Sequence, residues 1–118
     1  MTNHDDRVYL EHILECAALI RDYTRNGKAE FIENILVRDA VLRRLQIMAE
    51  STQRLSGDLK LKAPTTDWRA LAGFRNILVH DYLGGIDFDR VWDAVEFYLP
   101  ELEAAVRDLM GGLKKPKP

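Results

Sequence analysis

The chain has 118 residues, of which 47% are hydrophobic and 31% charged, with a formal charge of −2 at pH 7. That length suits one domain around a single core, and that balance suits an ordinary globular protein without general affinity for polyanions. The charge is unevenly spread: residues 38–82 carry eight Lys/Arg against five Asp/Glu, and the remainder carries nine against fourteen, so the middle is the better face for an anionic partner.

The opening "MTNHDDRVYLEH" has charges where a signal peptide needs an apolar stretch, and no apolar run approaches the roughly 18 residues of a membrane span, so a cytoplasmic protein with no membrane partner is expected. Asp5 or Asp6 can cap a first helix running to about Arg25, with Leu10, Ile13, Leu14, Ala17 and Ile20 as its apolar stripe. Cys16, the sole cysteine, falls among Ala17, Ala18 and Leu19 and reads as a small buried thiol; one cysteine makes no intramolecular disulfide and suits a reducing cytosol. Asn26-Gly27 stops the helix, because both residues tolerate the left-handed conformation found at helix ends.

From Lys28 to about Ser56 the apolar pattern resumes through Val37, Val41, Leu45, Met48 and Leu55, compatible with one helix or with a short helix leading into a long one. Ser56-Gly57-Asp58 closes it, and "LKLKAPTTDW" reads as the longest connection: Pro64 disfavours a helical Ala63, while Thr65, Thr66 or Asp67 offers the next cap. A third helix is expected from Asp67 to near Leu83, burying Trp68, Leu71, Ala72 and Val79 and ending at Gly84-Gly85.

Asp87 is the candidate cap of the last helix, whose stripe of Phe88, Trp92, Val95, Leu99, Leu102, Val106 and Leu109 advances in alternating steps of four and three. That spacing belongs to helices packed nearly parallel or antiparallel in a bundle. Pro100 lies inside the stripe, and a proline lacks the N–H and crowds the carbonyl four residues back, so a kink is expected near Glu96. The closing "GGLKKPKP" is too polar and too broken to pack and reads as a flexible basic tail over 111–118, which leaves a single domain over 1–110. With no alternating strand pattern and no internal repeat, the expected architecture is an all-α bundle of four or five helices.

Few motifs carry chemistry. His4, His12 and His80 show no paired metal-ligand spacing, one cysteine builds no zinc site, and no Gly-rich loop follows a strand, so no metal or other cofactor is expected. In "DFDRVWDAVE", Asp87 and Asp89 suit a helix N-terminus, while Asp93 and Glu96 suit a solvated face. Trp68, Trp92, Phe88 and Tyr98 fit core or interface packing rather than base stacking.

One stretch stands apart. "RNILVHDY", residues 75–82, resembles the R-N-x-x-x-H-x-Y signature of HEPN-domain proteins, and within them is most similar to the HepT toxin family. The flanks agree: "DAVLRRLQIMAES" resembles that family's second-helix segment, and "WRALAGFRNILVHDYLGGIDFDRVWDAVEFYLPELE" its third and fourth helices with their short link. The likeness extends from about Tyr9 to Leu109, with Ala49 standing where these toxins commonly have glycine. The resemblance implies a metal-independent RNA endonuclease, the toxin of a toxin–antitoxin pair whose antitoxin is a nucleotidyltransferase that transfers AMP to the motif tyrosine. Carried over, Arg75 and His80 are the catalytic residues, Asn76 supports them, and Tyr82 is the modified side chain.

The residue types suit that chemistry. Cleaving RNA without a metal needs a base for the 2′-hydroxyl proton, an acid for the leaving oxygen, and positive charge for the phosphorane. Histidine, with a reference pKa of about 6.5, supplies acid or base; arginine grips two phosphate oxygens and never loses its charge. Asn76 stands four residues from His80, in position to orient it or to bind phosphate or ribose. Arg75 and His80 are five residues apart, which on an ideal helix is about 140° of turn and about 7.5 Å of rise, so one copy does not align them. Either the helix is distorted or two copies meet around a twofold axis; HEPN proteins are typically dimers with the cleft between subunits, and a homodimer is expected. The alternative from another class is a catalytically silent HEPN-like module that binds a nucleotidyltransferase.

Overall fold

A computed structural model describes residues 5–64, 66, 68 and 85–113. Every regular element among them is helical, and the chain folds as the expected all-α bundle.

Helix α1 spans Asp6–Tyr23. Asp5 is the residue that caps it, its carboxylate accepting the Arg7 backbone N–H at 3.0 Å, which satisfies one of the first-turn donors that a helix leaves free. Leu10, Ile13, Cys16, Ala17 and Ile20 are all buried, one helical face turned inward. The helix stops two residues before Arg25 because Thr24 closes it: its backbone N–H and its hydroxyl both donate to the Ile20 carbonyl, at 2.9 and 2.8 Å. Gly27 then turns the chain at φ +93°, ψ −176°, a region open almost only to glycine that costs a side-chain-bearing residue about 1–3 kcal/mol.

The segment left open by periodicity is two helices, α2 over Lys28–Glu33 and α3 over Ile35–Arg54. Asn34 divides them. Its extended backbone (φ −94°, ψ 106°) ends α2, and its side-chain oxygen accepts from Leu36 N–H at 3.0 Å and Val37 N–H at 3.4 Å to begin α3. Phe31 of α2 is fully buried, and α3 buries Val41, Leu42, Leu45, Met48 and Ala49. Ala49 is 3% exposed, so the methyl at this position fits within the packed core.

The Ser56 to Asp58 stretch corrects the expected connection. It does not merely close α3, which ends at Arg54; it opens a further short helix, α4, over Gly57–Leu61. Ser56 Oγ accepts the Leu59 N–H at 3.2 Å, and Leu59 is buried. Asp6, the other candidate cap of α1, holds this corner instead: its carboxylate accepts Ser56 N–H at 2.9 Å and Ser56 Oγ–H at 2.7 Å.

The last stretch comprises α5 (Phe88–Asp93), a π-helical turn (Ala94–Tyr98) and α6 (Leu99–Gly112). Asp87 caps α5 by accepting from Asp89 N–H at 3.0 Å and Arg90 N–H at 3.4 Å. The distortion expected near Glu96 takes the form of the π turn, in which Leu99 N–H reaches the Ala94 carbonyl five residues back. Pro100 cannot donate to Glu96, and widening the preceding turn accommodates the ring that an α-helical register would press against that carbonyl. α6 continues through Gly111 and Gly112, and Leu113 packs half-buried on the core, so the ordered helix enters the glycine pair that opens the tail.

α1 packs along α3 on one side and α6 on the other, and α2 packs on α3 and α5. Phe31, Phe88 and Trp92 form an aromatic cluster where α2 meets α5, with ring centroids 6.2 Å (Phe31–Phe88) and 5.6 Å (Phe31–Trp92) apart, and the Arg38 guanidinium lies 4.4 Å from the Phe88 centroid.

Candidate functional site

Arg75, Asn76, His80 and Tyr82 lie outside the described residues, as does nearly all of the expected third helix, 67–83; Trp68 alone of that span is described. The described residues on either side of the motif are anchored on the bundle. Upstream, Trp68 is half-buried, its indole N–H donates to the Lys60 carbonyl at 3.3 Å, and the Lys60 ammonium stands 6.0 Å from its ring centroid. Downstream, Gly85 adopts φ +98° and the chain enters the Asp87 cap of α5. Phe88 is then fixed against Phe31 and Arg38. Lys60 belongs to α4, just past the C-terminal end of α3, whereas Arg38 is in the first turns of α3. The two anchors of the motif segment therefore sit at opposite ends of α3, which is about 30 Å long at 1.5 Å per residue.

Elsewhere the described chemistry is structural. Cys16 is buried, and burial pushes its thiol pKa up despite a hydrogen bond with Arg44, so it is held as a neutral thiol. Arg44 is itself shifted up, chiefly through its hydrogen bond with Tyr23. His12 is exposed on α1, edge-on to Tyr9 with centroids 6.4 Å apart. Among the described residues no group of three or more His, Cys, Asp or Glu could hold a metal ion. A cavity of about 240 Å³ lies between Lys62, Ala63, Pro64 and Thr66 and the Ala105, Asp108 and Leu109 face of α6, with one cation, one carboxylate and the Thr66 hydroxyl at its wall and no histidine among the described residues.

One functional-looking group was not foreseen from the sequence. Glu103 of α6 is 4% exposed, and its Oε1 accepts from Arg21 Nε at 2.7 Å and from Arg21 Nη2. Arg107 Nη2 stands 3.7 Å from Oε2. Glu103 lies next to Leu102 and three residues from Val106, at the edge of the apolar stripe, and that placement is the one sequence signal that could have marked it. The pair closes α6 onto α1.

The sequence matches known proteins over most of the chain. The model of the family described as "Ribonuclease HepT-like" matches residues 13–109. A protein of Methanocaldococcus jannaschii named "Putative RNase MJ1380" is 35% identical over 107 residues, covering 90% of this chain and 97% of that relative. One of Thermococcus cleftensis named "Probable ribonuclease HepT" is 33% identical over 108 residues, covering 91% and 96%. A third, "Putative RNase TTE0752" of Caldanaerobacter subterraneus, is 31% identical over 105 residues, covering 88% and 93%. No solved structure is significantly similar to the chain. The class is thus that of an all-α ribonuclease of the HEPN superfamily. Within it, the chain belongs to the HepT-like ribonuclease family.

Proposed function

We propose that this chain is a metal-independent RNA endonuclease, the toxin of a HEPN/nucleotidyltransferase toxin–antitoxin pair. The observation that carries the reading is the family match over 13–109, which encloses the intact "RNILVHDY" motif at 75–82. In this reading the domain occupies 1–110 and residues 111–118 add a basic extension whose first residues continue α6.

His80 takes the proton from the 2′-hydroxyl, the 2′-oxygen attacks phosphorus, and the bond to the 5′-oxygen breaks as that oxygen is protonated. The products are a 2′,3′-cyclic phosphate and a 5′-hydroxyl. Arg75 holds the non-bridging oxygens as charge builds on the phosphorane, and Asn76 orients His80 or the phosphate. Two copies paired about a twofold axis supply the Arg75 and His80 that one ideal helix does not align. The nucleotidyltransferase silences the site by moving AMP from ATP to the Tyr82 hydroxyl with release of pyrophosphate. This sets a bulky anion beside Arg75 and His80, neutralising the charge and filling the phosphate site. The proteins act in the cytoplasm; no described helix is long and apolar enough to cross a membrane.

Expression of the wild-type chain arrests growth, and His80→Ala relieves the arrest. Purified protein that leaves RNA intact, with His80→Ala behaving identically, sinks the nuclease reading in favour of a silent module that binds the nucleotidyltransferase. Tyr82→Phe retains cleavage and escapes neutralisation by the partner enzyme. Continued neutralisation without an adduct by mass spectrometry replaces AMP transfer with steric inhibition. Light scattering reads a dimer; a monomer with full cleavage activity contradicts the shared cleft.

A further inference from the structure

The π turn before Pro100 shapes the surface as well as the backbone. Phe97 and Tyr98, the two residues before α6, are each 61% exposed. On an α-helix two consecutive side chains diverge by about 100°. The π turn, with its five-residue hydrogen bond, holds more residues per turn and leaves these two consecutive rings exposed just before α6. Asp93 and Glu101 stand four residues before and after Phe97, on its face, and both are exposed. Glu96 is fixed beside them, its Oε2 accepting the Trp92 indole N–H at 2.9 Å.

The surroundings are anionic. Residues 85–113 contain seven Asp/Glu against two arginines, Arg90 and Arg107. Arg107 lies 3.7 Å from buried Glu103, and Lys28, which reaches in from α2, is paired with Asp89 at 3.0 Å. An aromatic pair framed by carboxylates repels a phosphate backbone, and it favours apolar side chains accompanied by lysine or arginine. We propose that the Phe97–Tyr98 face is a docking surface for a basic, apolar segment of a partner protein, separate from RNA cleavage.

The full chain is titrated with a fluorescein-labelled amphipathic peptide built of leucine and lysine pairs, read by fluorescence anisotropy. Wild type binds, and added salt weakens the complex. Phe97→Ala with Tyr98→Ala lowers the affinity at least tenfold, as does Asp93→Asn with Glu96→Gln and Glu101→Gln, while RNA cleavage stays within twofold of wild type. These side chains are exposed, so unchanged circular dichroism verifies both variants, and the charge-neutralised set stands alone if the aromatic pair fails to fold. Peptide affinity indifferent to both sets overturns the proposal. So does a parallel loss of RNA affinity, which assigns the face to nucleic acid, or a shift in sedimentation of the free protein, which assigns it to a second copy. Peptide binding is read without RNA, so it succeeds or fails independently of the nuclease reading.

Discussion

Arg21 on α1 donates from both Nε and Nη2 to one oxygen of Glu103 on α6, and the carboxylate that receives them is 4% exposed. A buried carboxylate is costly unless it is hydrogen-bonded, whereas Arg21 keeps about half its side chain in water. Removing the arginine therefore costs more than the pair's own net attraction, because it leaves the acid buried with only the more distant Arg107. Arg21→Ala is expected to lower stability by about 2–3 kcal/mol. Arg25→Ala removes a pair of two-thirds-exposed side chains, Arg25–Asp22 at 3.2 Å, and is expected to cost about 0.5 kcal/mol or less. Urea denaturation of the two variants reads the contrast.

The Asp6–Ser56 corner gives a second comparison. Asp6→Ala strips two hydrogen bonds from Ser56 and loosens the start of α1 from the α3–α4 junction, with an expected loss of about 1–2 kcal/mol. Asp5→Ala removes only the first-turn cap and costs about 1 kcal/mol. Both variants are compared by thermal melting, where the Asp6 change lowers the midpoint further.

Those two aspartates also show how far the sequence could be read. A carboxylate before an apolar stripe predicts a cap, and periodicity identifies which faces of α1, α3 and α6 turn inward. Pro100 likewise predicts a distortion near Glu96 from its missing N–H alone. What local pattern does not carry is contact across the chain. Nothing near Asp6 says that its partner is Ser56, and nothing near Glu103 says that Arg21 lies opposite. The α4 helix is obscured for a different reason: Gly57–Leu61 is too short for a periodic signal, and its serine cap and buried Leu59 sit in a stretch whose Pro64 and threonines read as loop. Asn34 marks a break only because it serves both neighbouring helices, which a single capping residue does not announce. The motif residues rest on residue types at fixed spacing alone, since they lie outside the described residues.

Cys16 links burial to pH. Its pKa is raised in the folded chain, chiefly by burial, so the fold favours the protonated thiol. That contribution is fully present below the thiol's unfolded pKa and is lost as pH rises through the higher folded value, because the unfolded chain gains by ionising first. Stability is therefore expected to fall on the alkaline side of the ordinary thiol range, and Cys16→Ala to flatten that fall while costing about 1 kcal/mol at neutral pH. Denaturation midpoints across alkaline pH measure both. A chromogenic thiol reagent reacts with the native protein only at the rate of unfolding.

In the proposed mechanism cleavage turns on His80. Incubating the purified chain with total RNA in EDTA, beside His80→Ala, and mapping the cut ends is the direct measurement. Wild type is predicted to yield 2′,3′-cyclic phosphate and 5′-hydroxyl ends without metal, and His80→Ala to cleave roughly 10²–10⁴-fold more slowly. Intact RNA with the wild-type protein, or equal cleavage by the variant, contradicts it.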